Sequence, residues 1–123
     1  MASPNIVNVT SIYGNTSYLV PTTTTATTWT ALTPAVGTVN KIDNIVAANV
    51  TGTAATITVS VNSAVSGGGT AYRLAYQITV PANASLIITD KTTAFYVGEA
   101  QSVVVTSGTT NAIEMVASYE AIT

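Results

Sequence analysis

The sequence predicts an all-β fold, a single antiparallel β-sandwich or jelly-roll-like domain with an extended N-terminal segment. Three observations carry that prediction. Apolar and polar residues alternate with period 2 in several segments, Gly, Pro and Asn punctuate the chain between short β-branched runs, and no stretch shows the 3.6-residue period of a helix. The 123 residues fit one domain. A chain of this size buries about two-thirds of the surface that its unfolded form exposes, so it needs no disulfide to hold a core.

Residues 1–20 form an N-terminal arm or first strand, with β-branched residues concentrated over 5–13. Residues 21–38 read as a Thr-rich edge strand or linker, opened by Pro21 and carrying the lone Trp29, with strand character over 25–32. A polar β-branched strand pairs through its backbone without burying much, which leaves register weakly set and strand exchange between subunits open. The plainer alternative is an edge strand with Trp29 capping the core.

Residues 39–123 make up the sandwich core. The runs 39–50 and 54–62 are expected to pair as a hairpin through Thr51-Gly52-Thr53, with Ile57, Val59 and Val61 alternating against Thr56, Thr58 and Ser60. Gly67-Gly68-Gly69 reads as a mobile tip before 71–80. That next run has the cleanest alternation, with Tyr72, Leu74, Tyr76, Ile78 and Val80 assigned to one face and Arg73, Gln77 and Thr79 to the other. Shorter strands follow at 85–89 and 101–107. The last strand sets Ile113, Met115, Ala117 and Tyr119 against Glu114, Ser118 and Glu120, with Val116 as the exception on the polar face.

Only 7% of residues are charged, against about 25% in an ordinary domain. Threonine makes up about a fifth of the chain and hydrophobic residues 47%. Such a surface suits packing against other protein, and a net charge of -2 gives little protection from self-association. The working form is therefore expected to be oligomeric or bound. Three basic residues, Lys41, Arg73 and Lys91, make no patch for phosphates or anionic lipid, so neither nucleic acid nor membrane is an expected partner. Met1-Ala2-Ser3-Pro4-Asn5 has neither the basic nor the apolar region of a secretory signal, and no apolar run approaches the about 20 residues of a membrane span.

Catalytic groups are scarce. Without histidine or cysteine there is no Ser/His/Asp set, no thiol nucleophile, no iron–sulfur cluster and no Cys-ligated zinc site, and the missing cysteine fits a reducing cytoplasm. The acids Asp43, Asp90, Glu99, Glu114 and Glu120 read as solvated charge, and no Asp-rich loop offers a calcium site. Gly67 to Gly69 lacks the lysine and helix of a phosphate loop, and the Asn-x-Ser/Thr sequons at Asn8, Asn15, Asn49 and Asn83 are by-products of threonine content. No catalytic, cofactor-binding or metal residue is predicted, and the chain reads as a non-enzyme. Among the aromatics, Tyr72, Tyr76 and Tyr119 are assigned to the core, while Tyr13, Tyr18, Trp29 and Tyr96 are left for contacts.

Several segments resemble small structural proteins of tailed bacteriophages, notably marine cyanophages. They are the opening Ala2-Ser3-Pro4-Asn5-Ile6-Val7-Asn8-Val9, the run Ile42 to Val61 (IDNIVAANVTGTAATITVSV), the Val80-Pro81-Ala82 to Asp90-Lys91 segment and the closing Ser118-Tyr119-Glu120. The likeness spans nearly the whole chain; in Phe95-Tyr96-Val97-Gly98-Glu99 the Gly and Glu stand in swapped order. None of these motifs is catalytic. The resemblance implies a virion protein made in the host cytoplasm, most readily a capsid decoration or cement protein that binds the major capsid protein and itself, often as a trimer. A tail, neck or fibre-associated component and a virion-attached carbohydrate-binding module, stacking sugars on Trp29 and exposed tyrosines, are the alternatives. The expected contact residues are Ile6, Val7, Val9, Ile12, Tyr13 and Tyr18 of the N-terminal segment, with Trp29 and Tyr96.

Overall fold

The structure is a computed structural model that describes residues 4–123. Among them nine strands form two antiparallel sheets: β1 (Ile12–Leu19), β2 (Thr27–Thr28), β3 (Val39–Asn49), β4 (Ala55–Asn62), β5 (Ala71–Val80), β6 (Ser85–Thr89), β7 (Phe95–Val97), β8 (Ser102–Ser107) and β9 (Ile113–Ile122). The first sheet has the order β1-β9-β3-β6, with β7 also beside β3, and the second the order β2-β8-β4-β5. The only helical pieces described are three-residue 3-10 turns. This is the expected all-β domain, with inner faces packed as in a sandwich.

The core lies between the sheets. Ile42, Ile45 and Ala47 of β3 and Ile113, Met115 and Ala117 of β9 meet Ile57 and Val59 of β4 and Val103 and Val105 of β8, all essentially free of solvent. Alternation puts these side chains on one face of each strand, and burying each Ile, Val or Met contributes about 1.5–3 kcal/mol. Trp29, 2% exposed, closes one end of the core, and its indole N–H donates to Ser17 Oγ of β1 at 3.0 Å. Within the chain, β2 pairs with β8, and Trp29 ties the Thr-rich segment to β1.

The expected hairpin between 39–50 and 54–62 does not form. β3 pairs with β9, β6 and β7, whereas β4 pairs with β5 and β8, so residues 50–54 carry the chain from one sheet to the other. The cause is Asn49. Its buried amide donates to Thr53 O (2.8 Å) and Val80 O (3.0 Å), and its Oδ1 accepts from Thr51 N and Thr51 Oγ1. A Gly-centred turn signal serves a hairpin and a sheet-to-sheet crossing equally well; the buried side chain decides between them.

β5 is the second correction. It is an edge strand, and its register against β4 slips by one residue twice, between Ile78 and Ala75 and again between Ala75 and Arg73. Gln77 adopts φ +49 at the first slip, where its N–H donates to Thr58 Oγ1 at 2.9 Å. Each bulge resets the alternation, so the five residues assigned to one face by period 2 do not share it. Only Val80 is buried; Tyr72, Leu74, Tyr76 and Ile78 are exposed, which takes Tyr72 and Tyr76 out of the core. Tyr119 does pack against it.

Other boundaries move less. The first strand begins at Ile12, later than the expected 5–13, and the strand expected over 25–32 shrinks to Thr27–Thr28 before a 3-10 turn at Thr30–Leu32. The triple-glycine loop is tied down and is no free tip: Gly67 N donates to Ser102 Oγ (3.0 Å), Asn62 Nδ2 to Gly67 O (2.9 Å), and Ser63 and Thr70 bond each other.

Candidate functional site

The registers of the first sheet align side chains across its outer face. Tyr18 stands opposite Val116, Val116 opposite Val46, and Val46 opposite Ile87, so four strands contribute one residue each to a single apolar row. Directly paired residues point to the same face of a sheet. Tyr18 is 75% exposed, Ile87 and Val116 are also exposed, and Val46 is partly covered. On either side the row is flanked by uncharged or lightly charged positions, Thr16, Ser118 and Asn44 on one and Glu114, Ala48 and Ser85 on the other.

Further along the same face the charge collects. A cleft of about 490 Å³ is lined by Lys41, Asp43, Asn44, Asp90, Lys91, Ala94 and Glu120. Five of the eight charged residues of the chain thus surround one cleft, beside an apolar row that carries none. Lys41 Nζ lies 4.0 Å from Glu120 Oε2, across the β3–β9 ladder. Asp90 caps the 3-10 turn at Lys91–Thr93, accepting from Thr92 N (2.9 Å) and Thr92 Oγ1 (2.6 Å), while Asp90 N donates to Thr93 Oγ1. The Thr92 hydroxyl and backbone N–H hold the Asp90 carboxyl below its ordinary value.

The predicted contact residues divide. Tyr18 lies in the apolar row and Ile12 on the same face of β1, opposite Ile122. Tyr13 alternates to the other side of β1, yet it is exposed because β1 is the sheet edge. Val7 is 91% exposed and Ile6 exposed, both before the first strand, while Val9 is half-covered. Tyr96 is exposed on β7, paired with Lys41 beside the cleft. Trp29 does not belong with them: it is core, and it is unavailable to a partner or a sugar. Val116, Val46 and Ile87 were missed. Val116 alone carries a signal in its own strand, as the apolar exception among Glu114, Ser118 and Glu120; the row as a whole exists only once four registers are set.

Of the five acids, Asp43, Asp90 and Glu120 line the cleft, and Glu99 and Glu114 stand apart from it. Glu99 Oε2 accepts from Gly37 N at 2.8 Å, Glu114 is exposed on β9, and Asp90 is occupied as a cap. Among the described residues no group of three metal-ligating side chains comes together, and no helix is long and apolar enough to cross a membrane. The sequon Asn49 is buried with its amide fully engaged, so it cannot accept a glycan in the folded chain. No family model, no curated protein and no solved structure matches this chain.

Proposed function

We propose that this chain is a non-enzymatic structural protein of a phage virion, a capsid decoration protein that binds the assembled major capsid lattice through the outer face of its β1-β9-β3-β6 sheet. The observation that carries this reading is the apolar row Tyr18–Val116–Val46–Ile87, left open to solvent on a chain with almost no charge to keep it apart from other protein. Contiguous apolar surface beside a polar rim is the usual mark of a protein contact. The charged cleft beside the row supplies such a rim and sets orientation.

Strand pairing adds support of a weaker kind. With β7 set aside, the pairs β1·β9, β2·β8, β3·β6 and β4·β5 are those of one long hairpin, strands one to four laid against the last four and wound into two sheets. We read this as a jelly roll, an architecture that viral capsid domains use. Fold alone assigns no function, so the argument rests on the row. The protein would be made in the host cytoplasm and join the particle there.

The mechanism is mass action. A protein that binds only the assembled lattice stabilises that state at every occupied site, by RT ln(1 + [L]/Kd). Burial of the Tyr18 and Ile87 side chains is worth about 3–6 kcal/mol, since each large apolar side chain contributes about 1.5–3. A Tyr18→Arg/Ile87→Arg variant should therefore melt as the parent does yet bind the particle more weakly by on the order of a hundredfold or more. Tyr72→Arg, on the bulged β5 edge, should bind as the parent does. Full occupancy by the double variant would remove the proposal. A tail or neck component is the second reading, favoured if the protein sediments with tails and not with capsids; the carbohydrate reading loses Trp29, which is buried, and is left with the exposed tyrosines.

A further inference from the structure

The two ends of the sandwich treat their sheet edges differently. β5 carries two bulges and Arg73, devices that stop a strand from templating another. β1 has neither: its register with β9 runs unbroken from Ile12 to Leu19, and the strand IYGNTSYL contains no charge and no proline. Nothing lies within 4 Å of a Cβ built on Gly14, at the middle of that edge.

The free hydrogen-bonding groups of β1 follow from its ladder. Ser11 and Thr123 exchange both backbone bonds (3.2 and 3.0 Å), which marks them as a hydrogen-bonded pair. In an antiparallel ladder such pairs alternate with non-bonded ones. Tyr13, Asn15, Ser17 and Leu19 therefore bond β9, while Ile12, Gly14, Thr16 and Tyr18 turn their N–H and C=O groups away from it. β1 pairs with no other strand among the described residues. The edge thus offers donors and acceptors at every second residue and closes none of them.

We propose that β1 pairs antiparallel with β1 of a second copy of this chain, across a two-fold axis at Asn15. Parity fixes the register. The outward groups sit on even-numbered residues, so paired positions must sum to an even number, and a sum of 30 is the one that pairs all four outward residues of the strand Ile12–Leu19 with one another. Ile12 then faces Tyr18 of the other copy, Gly14 faces Thr16, and Asn15 faces itself. Every outward group of the four residues is bonded, two bonds per pair. An aromatic side chain lies beside a β-branched one at each end of the seam, a favourable cross-strand pair, and no like charges meet because β1 has none.

The seam also completes the outer face. The two-fold axis of an antiparallel pair stands perpendicular to the sheet, so both outer faces look the same way. The row Ile87–Val46–Val116–Tyr18 of one copy continues into the exposed Ile12 of the other. The four strands, of 8, 10, 11 and 5 residues, at a rise of about 3.4 Å per residue and a spacing of about 4.8 Å give one copy about 550 Å², short of the about 800 Å² per partner of a standard interface; two copies joined exceed it. The inference concerns the isolated protein and stands or falls independently of the capsid reading.

The test uses the purified full chain. Light scattering should give a mass twice the 12.5 kDa of one chain. Thr16→Pro removes an outward N–H that the β9 ladder does not use, a position where an edge strand tolerates proline; it should keep the parent's circular dichroism and halve the mass. The chain has no cysteine, so Asn15→Cys introduces the sole thiol. At a non-hydrogen-bonded position on the axis the two Cα atoms stand about 4.5 Å apart, within disulfide reach. Mild oxidation should link Asn15→Cys chains and leave Tyr13→Cys chains, whose partner is Ser17 of the other copy, unlinked. A monomeric or trimeric mass, a folded Thr16→Pro variant that stays dimeric, or equal linking of the two cysteine variants would overturn the proposal.

Discussion

Replacing Asn49 by alanine should cost about 3 kcal/mol, because one amide holds the crossing between the two sheets. Its loss strands the Val80 carbonyl in the interior, at about 1–3 kcal/mol, and removes bonds to Thr53 O and Thr51 N in partly wet surroundings, at about 0.5–1.5 kcal/mol each. The assay is urea denaturation at fixed protein concentration, followed by the fluorescence of Trp29, the single tryptophan and a buried one. With a slope of about 1.5 kcal/mol/M the midpoint should fall by about 2 M. Asn49→Asp sharpens the test. Its carboxylate would set an acceptor against the Thr53 and Val80 carbonyls, so the folded state favours the protonated acid and its pKa rises. The folded protein then binds more protons than the unfolded one, and stability falls as pH rises through that range. Asn49→Asp should therefore be weakest at neutral pH and recover in acid. A loss below about 0.5 kcal/mol for Asn49→Ala, or an Asn49→Asp variant insensitive to pH, would refute the account of the crossing.

Two further predictions concern the loops. Gly69 has φ +70, and an added Cβ would strike Ser63 Oγ and lie 2.9 Å from Ala64 N, so Gly69→Ala should cost about 1–3 kcal/mol, whereas Gly52→Ala, with open space and no positive φ, should be within about 0.5 kcal/mol of the parent in the same urea assay. Thr92 lowers the Asp90 pKa, so this carboxyl stabilises the fold above its unfolded value of about 3.9, and the contribution is lost as pH falls through the lower folded value. Carbon-detected NMR should show Asp90 titrating below that value, and Thr92→Val should move it back up.

Much of the fold is legible in the sequence because period 2 is a local property. β4, β6, β8 and β9 fall where alternation and turn residues put them, and Ile57, Val59, Ile113, Met115 and Ala117 are core as their pattern requires. The failures have particular causes. Alternation along 71–80 is real, but two one-residue slips against β4 interrupt it, and a slip leaves no mark in a list of apolar residues. The turn at Thr51-Gly52-Thr53 is where it was expected, while the fate of the chain beyond it depends on where the Asn49 amide finds carbonyls, one of them 31 residues away. Trp29 takes the plainer of its two readings, as a core residue and not a contact; the Ser17 hydroxyl that satisfies its indole is on another sheet.

The contact surface was legible in part. Tyr18 and Ile12 stand out as large apolar residues in a strand too polar to be buried, and they prove exposed on the outer face. Their companions Val116, Val46 and Ile87 come from three other strands and join them only through pairing registers. The charged cleft has the same origin, gathering residues 41–44, 90–94 and 120 from distant parts of the chain. Long-range register is the one quantity that a strand's own sequence does not encode.

The most direct test of the central claim is a cryo-electron microscopy reconstruction of the virion that carries this protein, read for position, copy number and contacting face. The account predicts many copies over the capsid lattice, with Tyr18, Val46, Val116 and Ile87 against the major capsid subunit. Density confined to a neck or tail, or a lattice-bound protein with that face open to solvent, would contradict it.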